Sequence, residues 1–150
     1  MGYDASRLRV MVDGDAWIAE KVLIVRREKV GPHYVYLKVR DPSTDEVQEY
    51  FVDRKNMVKN WIAMEKGAQT NPSLMKIFVN KEEWEAVGIS QFNDNGMFVQ
   101  LDLQRAMESG VEEIIIAMDK QGMMDAFHAL CTDITDLFES GLEAFGHLIN

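Results

Sequence analysis

Cys131 and His128 lie three residues apart, and on a helix that spacing brings side chains into contact, the least that a thiolate and its base require. A working nucleophile also needs a lowered thiol pKa, a third group to orient the imidazole and an oxyanion hole. No local pattern supplies them. Cys131 falls at the edge of an apolar stripe and reads as a buried structural thiol. Asp13-Gly14-Asp15 and Asn93-Asp94-Asn95-Gly96 set oxygen ligands beside a glycine, as calcium loops do. Neither has the spacing that ends in a bidentate Glu at the twelfth position of an EF-hand, so both read as turns. His33 and His147 stand alone, and HExxH, GxSxG, P-loop and GxGxxG patterns are absent. No catalytic residue, metal ligand or cofactor is assigned.

The chemistry that does stand out is charge. Spaced at about 100° per residue, Met123, Phe127, Leu130, Ile134, Leu137, Phe138, Phe145 and Leu148 form one stripe of a helix expected over 121–150. Asp125, Asp133, Asp136, Glu139 and Glu143 fall on the opposite side, with no Lys or Arg among them. An exposed helix ordinarily mixes signs, because opposite charges four apart stabilise it by a few tenths of a kcal/mol. An unmixed face repels itself and attracts a basic surface. These five carboxylates are the expected partner-binding residues.

The charge is unevenly spread. The chain has 150 residues and a net charge of −9. Residues 1–100 are nearly balanced, whereas residues 101–150 hold ten acids against Arg105 and Lys120. Such a balance disfavours phosphate backbones, which bind clustered Lys and Arg, so direct nucleic-acid binding is not expected. One cysteine, Cys131, forms no internal disulfide, and a reducing cytoplasm is the expected setting. The first residues lack the basic-then-apolar order of a signal peptide, and no apolar run reaches membrane-spanning length. One globular domain over 1–150 is expected.

The elements that must position these groups are read from period and turn residues. Residues 7–53 predict an antiparallel meander punctuated at Asp13-Gly14-Asp15, Val30-Gly31-Pro32 and Asp41–Asp45. Within it Val35, Leu37 and Val39 face a core, while Tyr34 and Tyr36 share the other face with Lys38 and Arg40. Beyond residue 50 the pattern predicts strand-then-helix units. Tyr50-Phe51-Val52 precedes a helix over Arg54–Glu65, and Lys76–Val79 precedes one over Lys81–Val87. Met97–Leu101 precedes a helix over Asp102–Ser109, and Glu113–Ala117 precedes the terminal helix. Asp53 and Asn80 are placed as N-caps. Phe51-Val52-Asp53-Arg54 resembles Phe78-Val79-Asn80-Lys81, which ordinary βα chemistry explains as well as duplication does. Trp61 and Trp84 read as core, and Trp17 as the exposed aromatic. The resulting fold class is α+β: an N-terminal antiparallel meander, short βα units, and a long C-terminal amphipathic helix packed on the sheet.

Ile77-Phe78-Val79-Asn80-Lys81-Glu82-Glu83-Trp84, Phe98–Met107 and Gly110–Ile116 together resemble the strand–helix–strand–helix–strand core of the SseB N-terminal family. The resemblance implies a small mixed α/β, non-enzymatic protein and carries no functional residues. It departs after the last strand, where Ala117-Met118-Asp119 stands in place of that family's Asn-Pro. In outline the chain is also similar to type III secretion chaperones and to immunity proteins and phage-encoded inhibitors.

The expected function is therefore a non-enzymatic, acidic protein-binding domain (inhibitor, immunity or chaperone-like factor) that engages a basic partner surface. The alternatives are a small α/β enzyme with its site in the loops after the Phe-Val strands, and an acidic face that serves only solubility.

Overall fold

The structure, a computed structural model, describes residues 3–27 and 32–130. A short 3-10 turn, Ala5–Arg7, leads into β1 (Arg9–Val12), β2 (Asp15–Arg26), β3 (His33–Arg40) and β4 (Val47–Asp53). Helix α1 (Arg54–Glu65) follows, then a second 3-10 turn, Pro72–Leu74. The remaining elements are β5 (Lys76–Val79), β6 (Glu82–Asn93), β7 (Met97–Met107), β8 (Gly110–Asp119) and α2 (Lys120–Leu130). The eight strands close into one barrel in chain order, every pair antiparallel, with β8 returning to β1 through Val10 opposite Met118 and Val12 opposite Ile116.

This overturns the α+β expectation. The meander over β1–β4 and α1 stand as expected, with the Asp53 carboxylate accepting from Asn56 N at 3.3 Å as an N-cap. The helices expected over Lys81–Val87 and Asp102–Ser109 are strand, apart from the turns that bound them. Their period was two all along. Trp84 and Ala86 point inward between exposed Glu83 and Glu85, and Leu101 and Leu103 alternate with Asp102 and Gln104. Asn80 is no cap. Asn80 and Lys81 both take positive φ, 49° and 74°, and form the two-residue turn between β5 and β6. Instead of a helix packed on a meander, a closed barrel leaves no sheet edge to cover. The expected terminal helix is present over Lys120–Leu130, and residues 131–150 lie outside the described residues.

The architecture is one unit used twice. Val10, Trp17 and Ala19 of the first half take the places of Ile77, Trp84 and Ala86 in the second, and each long strand bulges at the same step, Ala19/Lys21 and Ala86/Gly88. Leu37 and Val39 answer to Leu101 and Leu103. Asp53, Arg54, Met57 and Trp61 answer to Asp119, Lys120, Met123 and Phe127, each set at the strand-to-helix junction. The Phe-Val similarity lies on a different frame. Phe51 and Phe78 are cross-strand partners, so that recurrence is not the repeat.

The inward residues of all eight strands and the buried faces of both helices form one apolar cluster, which includes Trp61, Met123 and Phe127. Trp61 and Trp84 are buried as expected, while Trp17 is half-buried against the cluster rather than exposed. Among the described residues no helix is long and apolar enough to cross a membrane.

The repeat gives a test of turn chemistry. Where β1 turns into β2 the same two positions are Asp13 and Gly14, with φ of 50° and 85°. The Lys81 side chain meets a steric cost in that region that glycine escapes. Lys81→Gly is expected to stabilise the protein by about 1 kcal/mol, read as a higher denaturant midpoint at unchanged slope. A lower midpoint would mean that the entropy glycine adds to the unfolded chain outweighs the relief.

Candidate ligand-binding face

Successive residues of a strand alternate between faces, so a barrel whose interior takes Val35, Leu37 and Val39 must turn Tyr34 and Tyr36 outward. Register then builds a row across four strands: Leu23 opposite Tyr36, Tyr36 opposite Phe51, and Phe51 opposite Phe78. The rings are in contact. Tyr36 and Phe51 lie 5.0 Å apart between centroids, and Tyr34 stands edge-on to Phe51 at 6.5 Å and to Phe78 at 5.9 Å. These neighbours bury Tyr34 almost completely, leaving Tyr36, Phe51 and Phe78 half-buried.

Cations frame the row. The Arg27 guanidinium lies over Phe78 at 3.6 Å and over Phe51 at 5.3 Å, within cation–π range. Lys21, Leu23, Val25, Arg26, Arg27, Tyr36 and Phe51 surround an open depression of about 440 Å³. Lys38 is the register neighbour of Lys21, and Arg26 Nε donates to His33 Nε2 at 3.2 Å. Carboxylates interrupt the basic field: Glu83 pairs in register with Phe78, and the Tyr36 hydroxyl donates to Glu49 Oε2. Burial, and then that bond and the Glu49 charge, push the Tyr36 phenol up to about 12, so it is a neutral donor at physiological pH. Arg40 is neutralised nearby by Glu20 at 2.9 Å and Asp45 at 3.2 Å.

The second half shows that the fold does not need this chemistry. Its equivalent row runs Ser90, Gln100, Ala117 and Met11. The places of Lys21, Arg26 and Arg27 are taken by Gly88, Asn93 and Asp94. A different cation is held there: Arg9 sits over Phe98 at 4.6 Å, but donates to the carbonyls of Asn95 at 3.0 Å and Asp94 at 3.1 Å, which fasten it to the β6–β7 turn. The second half keeps an aromatic pair of its own, Phe92 stacked on Phe98 at 5.2 Å, but neither the three-ring row nor Lys or Arg at the places of Lys21, Arg26 and Arg27.

Of the carboxylates expected to bind a partner, Asp125 is described. It is half-buried on α2, accepts from Gln121 Nε2 at 2.9 Å and lies 3.9 Å from Arg7 Nη2, so a base from outside the helix answers part of its charge. Asp133, Asp136, Glu139 and Glu143 lie outside the described residues, as does Cys131. The loops after the Phe-Val strands do not converge. Phe51-Val52 leads into α1, Phe78-Val79 into the Asn80-Lys81 turn, and Phe98-Val99 opens a strand that continues to Met107. Asp13 Oδ1 accepts from Ile115 N at 2.9 Å and Asn93 Oδ1 from Gly96 N at 3.3 Å, so both glycine-rich acidic segments are hydrogen-bonded turns.

Reading residues one at a time missed the Tyr36–Phe51–Phe78 row. Its one local signal was the pair of tyrosines on the nominally wet side of β3. No family model, curated protein or solved structure matches the chain.

Proposed function

We propose that this chain is a non-catalytic binding domain that holds an anionic ligand on the outer face of β2–β5. The observation that carries the reading is the Tyr36–Phe51–Phe78 row framed by Lys21, Arg26 and Arg27, set against Gln100, Ala117 and Met11 at the same positions of the other half. Tyr36, Phe51 and Phe78 are left half-open, and contact with a ligand would bury that apolar area. An open depression on a sheet face, rather than an enclosed cleft, favours binding over catalysis. A cytoplasmic setting goes with the single cysteine.

A second reading keeps the acidic residues Asp125, Asp133, Asp136, Glu139 and Glu143 as a surface for a basic protein, favoured by the ten acids against two bases in residues 101–150. One experiment separates the two. Binding of an oligouridylate, polyglutamate and polylysine is measured by anisotropy for the wild-type chain, for K21E/R26E and for D136K/E139K/E143K. An anion lost only by K21E/R26E supports the sheet face. Polylysine bound by the wild type and lost only by D136K/E139K/E143K supports the acidic surface instead. Anion binding that K21E/R26E leaves unchanged removes the sheet-face reading.

A further inference from the structure

The Tyr36–Phe51 depression has a chemistry narrower than attraction to anions, and any ligand class assigned to it rests on the β2–β5 face being the anion-binding surface. We infer that this depression is a stacking platform for single-stranded nucleic acid, with bases stacking on the Tyr36 and Phe51 ring faces and the flanking phosphates on Lys21, Arg26 and Arg27.

Three observations lead there. The rings come from adjacent strands, which run about 4.8 Å apart, and Tyr36 and Phe51 meet at 5.0 Å with their planes tilted by 52°, so neighbouring bases have two ring faces side by side. A neighbouring ring face of the row is already engaged from outside, since the Arg27 guanidinium lies over Phe78, 3.6 Å from its centroid. The Tyr36 O–H is donated to Glu49, which leaves its ring face, and not its proton, for the ligand. Carboxylate side chains of an acidic peptide offer charge without a flat ring, whereas every base has a π face and brings a phosphate with it. Among the described residues the face carries no helix that could enter a duplex groove: Lys21–Arg26 and Tyr36 lie within sheet. The net charge of −9 does not forbid it. Charges beyond a Debye length of about 8 Å are largely screened at physiological salt, so the local cations decide.

Recognition by ring faces predicts tolerance of base identity and a moderate salt dependence. Three phosphate contacts give a slope of about −2 in log affinity against log salt, so a rise from about 50 mM to 200 mM weakens binding about 20-fold.

The test uses the full chain and labelled oligouridylate and oligothymidylate of about 12 nucleotides, titrated by anisotropy at both salts, with a duplex of equal length and polyglutamate as comparison ligands. Both single strands are expected to bind, with the duplex bound at least tenfold more weakly. K21E/R26E is expected to lose at least tenfold, and Tyr36→Leu, which keeps apolar bulk but removes the ring, about tenfold. Asn93→Glu, at the position equivalent to Arg26 in the other half, is expected to change nothing. Circular dichroism checks each fold; should Tyr36→Leu unfold, Phe51→Leu replaces it. A duplex bound as well as a single strand, or a Tyr36→Leu or Phe51→Leu protein binding undiminished, overturns the stacking platform. Polyglutamate bound through Lys21 and Arg26 while oligonucleotides are not overturns it too, but leaves the anion-binding face standing. Binding of neither removes both.

Discussion

Trp61→Ala is expected to lower the unfolding free energy by about 3 to 5 kcal/mol, and Phe127→Ala by a similar amount, the range for deleting a fully buried aromatic side chain. Trp61 and Phe127 are 1 % and 0 % exposed and hold the same place in the two halves, on α1 and α2 respectively. Each helix therefore contributes through one large ring to the single cluster inside the barrel. At this chain length the loss is a fall of about 6 to 20 °C in melting temperature. Chemical denaturation of each variant gives the measurement. A Phe127→Ala loss below about 1 kcal/mol would mean that α2 rests on the barrel without closing its core.

Asp119→Ala is expected to cost about 2 to 4 kcal/mol, more than Asp53→Ala at the equivalent cap. Asp119 does two jobs. Its Oδ2 accepts from Gly122 N at 2.8 Å, capping α2, and its Oδ1 accepts from Arg9 N at 2.6 Å, tying β1 to the end of β8. Alanine would leave both donors without that acceptor, one of them buried. Asp53 instead spends both oxygens on Asn56, its backbone N at 3.3 Å and its Nδ2 at 2.6 Å, all within one turn. The difference comes from one residue: the position of Asn56 is Gly122 in the second half, and a Cβ there would come within 2.6 Å of the Asp119 carboxylate. Asp119→Asn keeps one acceptor and is expected to lose about half as much as alanine. Equal losses for Asp53→Ala and Asp119→Ala in urea titrations would show that the link to β1 adds no stability.

Where local chemistry is strong, the structure was legible. Asp53 before Arg54 predicted both the cap and the helix, and Asp13-Gly14 and Asn95-Gly96 predicted turns, because positive φ favours those residue types. Where a segment's own preference pointed one way and pairing the other, pairing won. Glu82-Glu83-Trp84-Glu85-Ala86 has helix-forming glutamates, yet it pairs with β5 on one side and, from Glu85, with β7 on the other. The repeat was hidden for a related reason. Its equivalents keep role rather than identity, as Val10 and Ile77 or Trp61 and Phe127 do.

By itself the sequence determined which side chains face inward along β3, where α1 begins, and where the chain turns at Asp13-Gly14 and Asn95-Gly96, because these depend on neighbours within a few residues. It also determined the concentration of acid in the last third of the chain. Only the tertiary structure decided that β1 meets β8, that the unit occurs twice, and that Tyr36, Phe51 and Phe78 stand in line beside Arg27. The reason is register. A slip of one residue between paired strands would turn every side chain of that row into the core, and that alignment is set by closure of the whole barrel, a condition no single segment contains.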